Sequence, residues 1–133
     1  MSHAPKVVSP FTATSAGSPR TLSAYVKSGG GGAVAAYIAF DKADAPSGYF
    51  EVAVNLTTGV PTIVGTAPGC SVTTTNAGGG WWRVIIVNTA GFDAGLVSLY
   101  LIDSVDVAPH AYLWYGLQVE AGTVATAYAQ ILA

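Results

Sequence analysis

Apolar and polar residues alternate with a period close to two through much of the chain, and turn formers interrupt the alternation at short intervals. The interruptions fall at Ser9-Pro10, Gly17-Ser18-Pro19, Gly29 to Gly32, Ala45-Pro46-Ser47-Gly48, Thr58-Gly59, Pro68-Gly69, Gly78 to Gly80, Gly91, Gly95, Pro109 and Gly122. Between them lie segments rich in Val, Ile, Thr and aromatic residues, mostly too short for ordinary helices, which is the pattern of an all-β sandwich or barrel. Strands are expected at residues 21–28, 33–41, 49–55, 61–64, 71–75, 81–88, 96–102, 111–120 and 125–131. Asn55-Leu56-Thr57-Thr58-Gly59 reads as a hairpin loop, because Gly59 can take a positive φ without a Cβ clash. The run Gly29 to Gly32 reads as a loop and not as a phosphate cradle, since no Lys-Ser/Thr follows it.

Alternation also assigns faces. In the segment 112–120, Leu113, Tyr115, Leu117 and Val119 form the expected core face, opposite Tyr112, Trp114, Gly116, Gln118 and Glu120. Leu22, Ala24 and Val26 are expected to face inward and Ser23, Tyr25 and Lys27 outward; the strand carrying Leu99 and Leu101 would expose Ser98, Tyr100 and Ile102. Residues 81–88 are apolar on both sides, Trp82, Val84 and Ile86 opposing Trp81, Arg83, Ile85 and Val87. Such a strand is expected to be covered twice, which makes Trp81, Arg83, Ile85 and Val87 candidates for structural or interface contacts.

Composition sharpens this picture. Charged residues are 9% of the 133-residue chain against about 25% in ordinary soluble domains, the apolar fraction is 51%, and the formal net charge is −2. Disorder is excluded, since it needs few apolar residues and a high net charge. The length suits one domain, residues 21–133, preceded by an arm at residues 1–20 that mixes Pro, Ser, Thr and Ala with Val7-Val8 and is expected to dock on a neighbour. A surface with so little charge does little to hold copies apart, so a homo-oligomer is expected. Lys6, Arg20, Lys27, Lys42 and Arg83 are scattered and form no basic patch, which argues against nucleic acid as a partner. Neither an apolar signal core at the start nor a run of about 18 apolar residues occurs, so neither standard export nor a membrane span is expected.

Material for catalysis is thin, and an enzyme is not expected. His3 lies near the start and His110 follows Pro109 in a turn, with no motif around any serine to complete a triad. The lone Cys70 excludes an internal disulfide and reads as a small residue after a turn. Asp103 with Asp106, or Asp41 with Asp44, could supply oxygen ligands to Ca²⁺, but Asp at strand ends serves turn chemistry more often, so no cofactor is expected. A glycan needs a flat aromatic face and hydrogen-bonding side chains. Trp114, Tyr112, Gln118 and Glu120 share one strand face and offer both, joined by Tyr25 and Tyr100 if their strands lie in the same sheet. The same rings equally suit packing under a neighbouring subunit or loop. Asn55-Leu56-Thr57 matches an N-glycosylation pattern.

Four ordered motifs carry a likeness: Leu22-Ser23-Ala24-Tyr25-Val26-Lys27, Gly80-Trp81-Trp82-Arg83-Val84, Gly116-Leu117-Gln118-Val119-Glu120-Ala121-Gly122 and Ala125-Thr126-Ala127-Tyr128. Together they span nearly the whole chain and resemble the jelly-roll domains of bacteriophage tail, fibre and head-decoration proteins, which are similar to non-catalytic carbohydrate-binding modules. Tyr115 stands where that family commonly has Trp, and Ala127 where it often has Ser. The resemblance implies a jelly-roll β-sandwich of two antiparallel sheets, a virion location and a structural role among other virion proteins. Glycan attachment is the alternative it implies.

Overall fold

The computed structural model describes residues 6–12, 19–30, 35–42, 50–63, 69–89, 94–100 and 111–128. These form nine strands and, among the described residues, no helix: β1 (Lys6–Thr12), β2 (Arg20–Gly30), β3 (Ala35–Lys42), β4 (Phe50–Asn55), β5 (Pro61–Ile63), β6 (Cys70–Gly78), β7 (Trp81–Asn88), β8 (Ala94–Tyr100) and β9 (Ala111–Ala121). One sheet has the order β1-β8-β3-β4-β5 and the other β6-β7-β2-β9, and every pairing is antiparallel.

The two sheets meet through one aliphatic cluster. Leu22 and Val26 of β2 and Val84 and Ile86 of β7 pack against Val52 and Val54 of β4 and Leu56 just beyond it, with Cys70, Val72, Trp82, Leu117 and Val119 around the edge. These are the alternate positions that the period-two pattern turns inward, and burying each such side chain contributes about 1.5–3 kcal/mol. Cys70 opens β6 and packs on this cluster, where burial pushes its thiol up to about 11.

A tight hairpin joins β4 to β5. The Asn55 carbonyl accepts from Gly59 N–H at 2.7 Å, and the Asn55 side-chain oxygen accepts from Thr57 N–H and Thr58 N–H at 2.9 and 3.0 Å. Gly59 sits at φ +76°, and a Cβ there would lie 2.3 Å from the Trp82 ring, so the position requires glycine twice over. The Trp82 indole N–H also donates to the Leu56 carbonyl at 3.0 Å, and the Thr74 hydroxyl donates to the Gly59 carbonyl at 2.5 Å. The loop is thereby fastened to β6 and β7 of the opposite sheet.

Three expectations need correction. The N-terminal segment is not wholly an appendage: β1 pairs along its length with β8 of the same chain, at the end of the described sheet. Residues 125–128 form no strand, because Thr126 bonds to side chains and not to a neighbouring ladder; residues 129–131 lie outside the described residues. Finally, Leu113 and Tyr115 do not belong to the core face. Ser23 pairs with Gln118 but Tyr25 pairs with Tyr115, so β9 holds one extra residue between these pairs. That bulge centres on Gly116, at φ +68°, and reverses the alternation on its N-terminal side. Leu117 and Val119 stay inward while Leu113 and Tyr115, 48% and 43% exposed, turn outward.

Candidate functional site

The outward face of the β6-β7-β2-β9 sheet gathers the candidate chemistry. Tyr25 and Tyr115 sit directly opposite on β2 and β9, and their rings stack with centroids 4.4 Å apart and planes 7° from parallel. Trp81 of β7 meets Tyr115 edge to face at 4.8 Å, and Tyr128 meets it at 5.9 Å. The cluster closes over Gly116, where an added Cβ would come within 2.9 Å of the Tyr25 ring and 3.3 Å of Tyr128. Such offset and edge-on arrangements each add about 0.5–1.5 kcal/mol to area burial.

Two cations border these rings. Lys27 Nζ lies 5.9 Å from the Trp81 centroid, and the Arg83 guanidinium carbon lies 5.5 Å from the Tyr25 centroid, both within cation–π range. The guanidinium thus lies by Tyr25, its cross-strand partner.

After β9 the chain turns back across this face. Gly122 N–H donates to the Pro19 carbonyl at 2.9 Å, and the Thr21 hydroxyl donates to the Gly122 carbonyl at 2.7 Å. Further along, Arg83 Nη2 donates to the Thr126 carbonyl and, at 3.3 Å, to the Ser23 hydroxyl. Glu120 accepts from the Thr126 hydroxyl and from Thr126 N–H at 3.1 Å, while Gln118 Nε2 donates to it at 3.3 Å. The Thr126 hydroxyl bond is the main reason the Glu120 carboxyl is held below the ordinary glutamate range. Thr21 and Ser23 point outward in the pattern yet are fully buried, because this returning segment and Arg83 cover them.

The residues proposed for glycan contact separate into groups. Tyr25 is part of the aromatic cluster, whereas Gln118 and Glu120 are engaged in holding Thr126. Tyr100 ends β8 in the other sheet, opposite Lys6 and Tyr37, and so shares no sheet with Tyr25. Tyr112 and Trp114 occupy β9 positions opposite Ser28 and Val26; their side chains lie outside the described residues. Trp81, Arg83, Ile85 and Val87 are all half-buried on the outward side of β7. Tyr115 and Tyr128 were not among the expected site residues. The signal for Tyr115 was Gly116 within an otherwise alternating strand, since an isolated glycine there marks a bulge.

His3, His110, Asp44, Asp103 and Asp106 fall outside the described residues, and Asp41 lies in β3. Among the described residues no group of three His, Cys, Asp or Glu is placed to hold a metal. Burial pushes the Cys70 thiol up to about 11, which favours its protonated form near neutral pH. The arrangement can present stacked rings flanked by positive charge, and it can hold a segment of chain against a sheet.

By fold, the chain is an all-β protein of two antiparallel sheets. No family model matches it, and no curated protein matches it.

Proposed function

We propose that the chain is a jelly-roll module of a bacteriophage particle, a head decoration or fibre domain that acts through assembly and performs no chemistry. The carrying observation is the nesting of its ladders: β1 pairs with β8 in one sheet while β2 pairs with β7 in the other. Two nested pairings of this kind are part of the jelly-roll plan common in viral shells and lectins, and they support the reading. Low charge, a strand apolar on both faces and polar outer groups engaged with the chain's own returning segment add support. Apolar burial would drive the assembly, offset by lost rigid-body freedom. The test is to band particles from the virus that carries this gene in a density gradient and probe them with antibody raised against the chain. Co-banding that survives repeated purification is the expected result, and absence from purified particles overturns the proposal.

A second role, glycan attachment, is favoured by the outward turn of Tyr115. Its ring is backed by Tyr25, flanked by Trp81 and Tyr128, and bordered by Lys27, which suits the apolar face and hydroxyls of a pyranose. A glycan array probed with multivalent protein should give signal that Tyr115→Ala abolishes. Equal signal from the variant removes this face from the site.

A further inference from the structure

From the two sheet ends that lie side by side on one flank, we infer that a second copy of this chain docks there by antiparallel pairing of β6 with its counterpart. This inference deepens the assembly proposal and rests on it only for its biological setting.

Among the described residues, β6 is the end strand of its sheet and β5 the end strand of the other, and the Thr74–Gly59 hydrogen bond ties the two ends together. Thr89 N–H donates to the Gly69 carbonyl at 2.9 Å, which fixes the phase of the β6–β7 ladder. Antiparallel pairs alternate between bonded and non-bonded, so Ser71, Thr73 and Thr75 exchange bonds with β7. The backbone groups of Cys70, Val72 and Thr74 therefore point away from β7, toward the side where no described strand pairs.

Native sheets protect such an edge with charge, proline, strong bulging or a very short strand. Nine residues long, β6 has neither charge nor proline, and its register shift falls only at its end, between Asn76 and Gly78. The exclusion of charge reaches well beyond the strand: residues 52–82 contain no Asp, Glu, Lys, Arg or His, and this stretch supplies both sheet ends. Val60 and Ile63, at the neighbouring hairpin and β5, are 59% and 49% exposed. Uncharged on both sides, the flank carries no sign preference that would select a charged partner, and it is complementary to itself. With the two-fold axis at Thr74, exposed Thr73 of each copy would meet Thr75 of the other, and Thr–Thr is a favourable cross-strand pair. The two four-stranded sheets would then run on as one.

The test is sedimentation velocity on the full chain from low to high micromolar concentration, comparing wild type, the double variant Thr73→Lys/Thr75→Lys and the control Leu113→Lys on the far edge. Both threonines are exposed, and the like-charge cost of a lysine at 75 opposite Arg83 is matched in the control, where Leu113 stands opposite Lys27. A wild-type dimer whose dissociation constant rises at least about tenfold in the double variant, but not in the control, is expected. Amide hydrogen exchange on wild type supplies a measurement independent of any variant: protection at Val72 and Thr74 should rise with protein concentration. Self-association unchanged in the double variant overturns the flank as interface while leaving the assembly proposal standing. A wild-type monomer at every concentration overturns self-pairing, whereas the assembly proposal is judged separately by particle co-banding. Protection at Val72 and Thr74 that persists at high dilution of the monomer shows the edge covered by its own chain and also overturns the inference.

Discussion

The four-stranded sheet holds its two faces by different means. Inward, Leu22, Val26, Val84 and Ile86 interlock with β4 through shape alone, with no directional bond among them. Outward, the contacts are directional: stacked Tyr25 and Tyr115, Arg83 between Ser23 and Thr126, and Glu120 holding Thr126. Close-packed aliphatic layers fail by cavity formation, whereas a face built from rings and hydrogen bonds fails by losing geometry while the sheet beneath survives. The inner face thus sets whether the chain folds, and the outer face sets what it presents.

The largest effect should come from the inner face. Ile86→Ala removes a fully buried side chain at the centre of the cluster and should cost about 2–5 kcal/mol in urea unfolding. Water exclusion there is checked by Cys70, whose thiol is raised to about 11 from 9.0 by burial. Labelling with a disulfide reagent at mildly alkaline pH should be about 100-fold slower in the native chain than in the urea-unfolded one, in step with the lower thiolate fraction. Equal rates would show that the rim of the inner layer is open.

Effects on the outer face should be smaller and more local. Gly116→Ala forces a side chain into the left-handed region and toward the Tyr25 ring, so a loss of about 1–3 kcal/mol is expected. Near-ultraviolet circular dichroism should report the disrupted tyrosine stack. Glu120→Gln should cost less than about 1 kcal/mol at neutral pH, because the carboxylate is largely open to solvent. Its signature is pH dependence. A carboxyl whose pKa is lowered on folding contributes stability above its ordinary value of 4.5 and loses it as pH falls through the lowered native value. Melting temperature followed downward from neutral pH should therefore fall less steeply in Glu120→Gln than in wild type, and identical slopes would release Glu120 from its role in holding Thr126.

The same contrast explains which parts were legible in the sequence. Inner positions such as Leu22, Val26, Val84 and Ile86 follow from period-two alternation, because one sheet face must be apolar throughout. The 55–59 hairpin followed from Gly59, since a positive φ leaves few alternatives. Tyr115 was misassigned because a single bulge residue reverses every side chain on one side of it. Ser23 reads as solvent-facing because nothing in a local pattern reveals that Arg83 and the returning Thr126 close over it. Strand β1 escaped notice because its partner, β8, lies far along the chain and Pro10 interrupts the alternation. Contacts set by long separation, or by one extra residue, are those a local pattern cannot carry.

Trp82 belongs to one layer by its backbone and to the other by its indole, which covers Gly59 and bonds the Leu56 carbonyl. Any event that parts the layers at this corner must strip the indole of that bond and wet it, moving its fluorescence to longer wavelength. The chain thus carries an intrinsic optical gauge of its own delamination, readable without a label in any solution where assembly is followed.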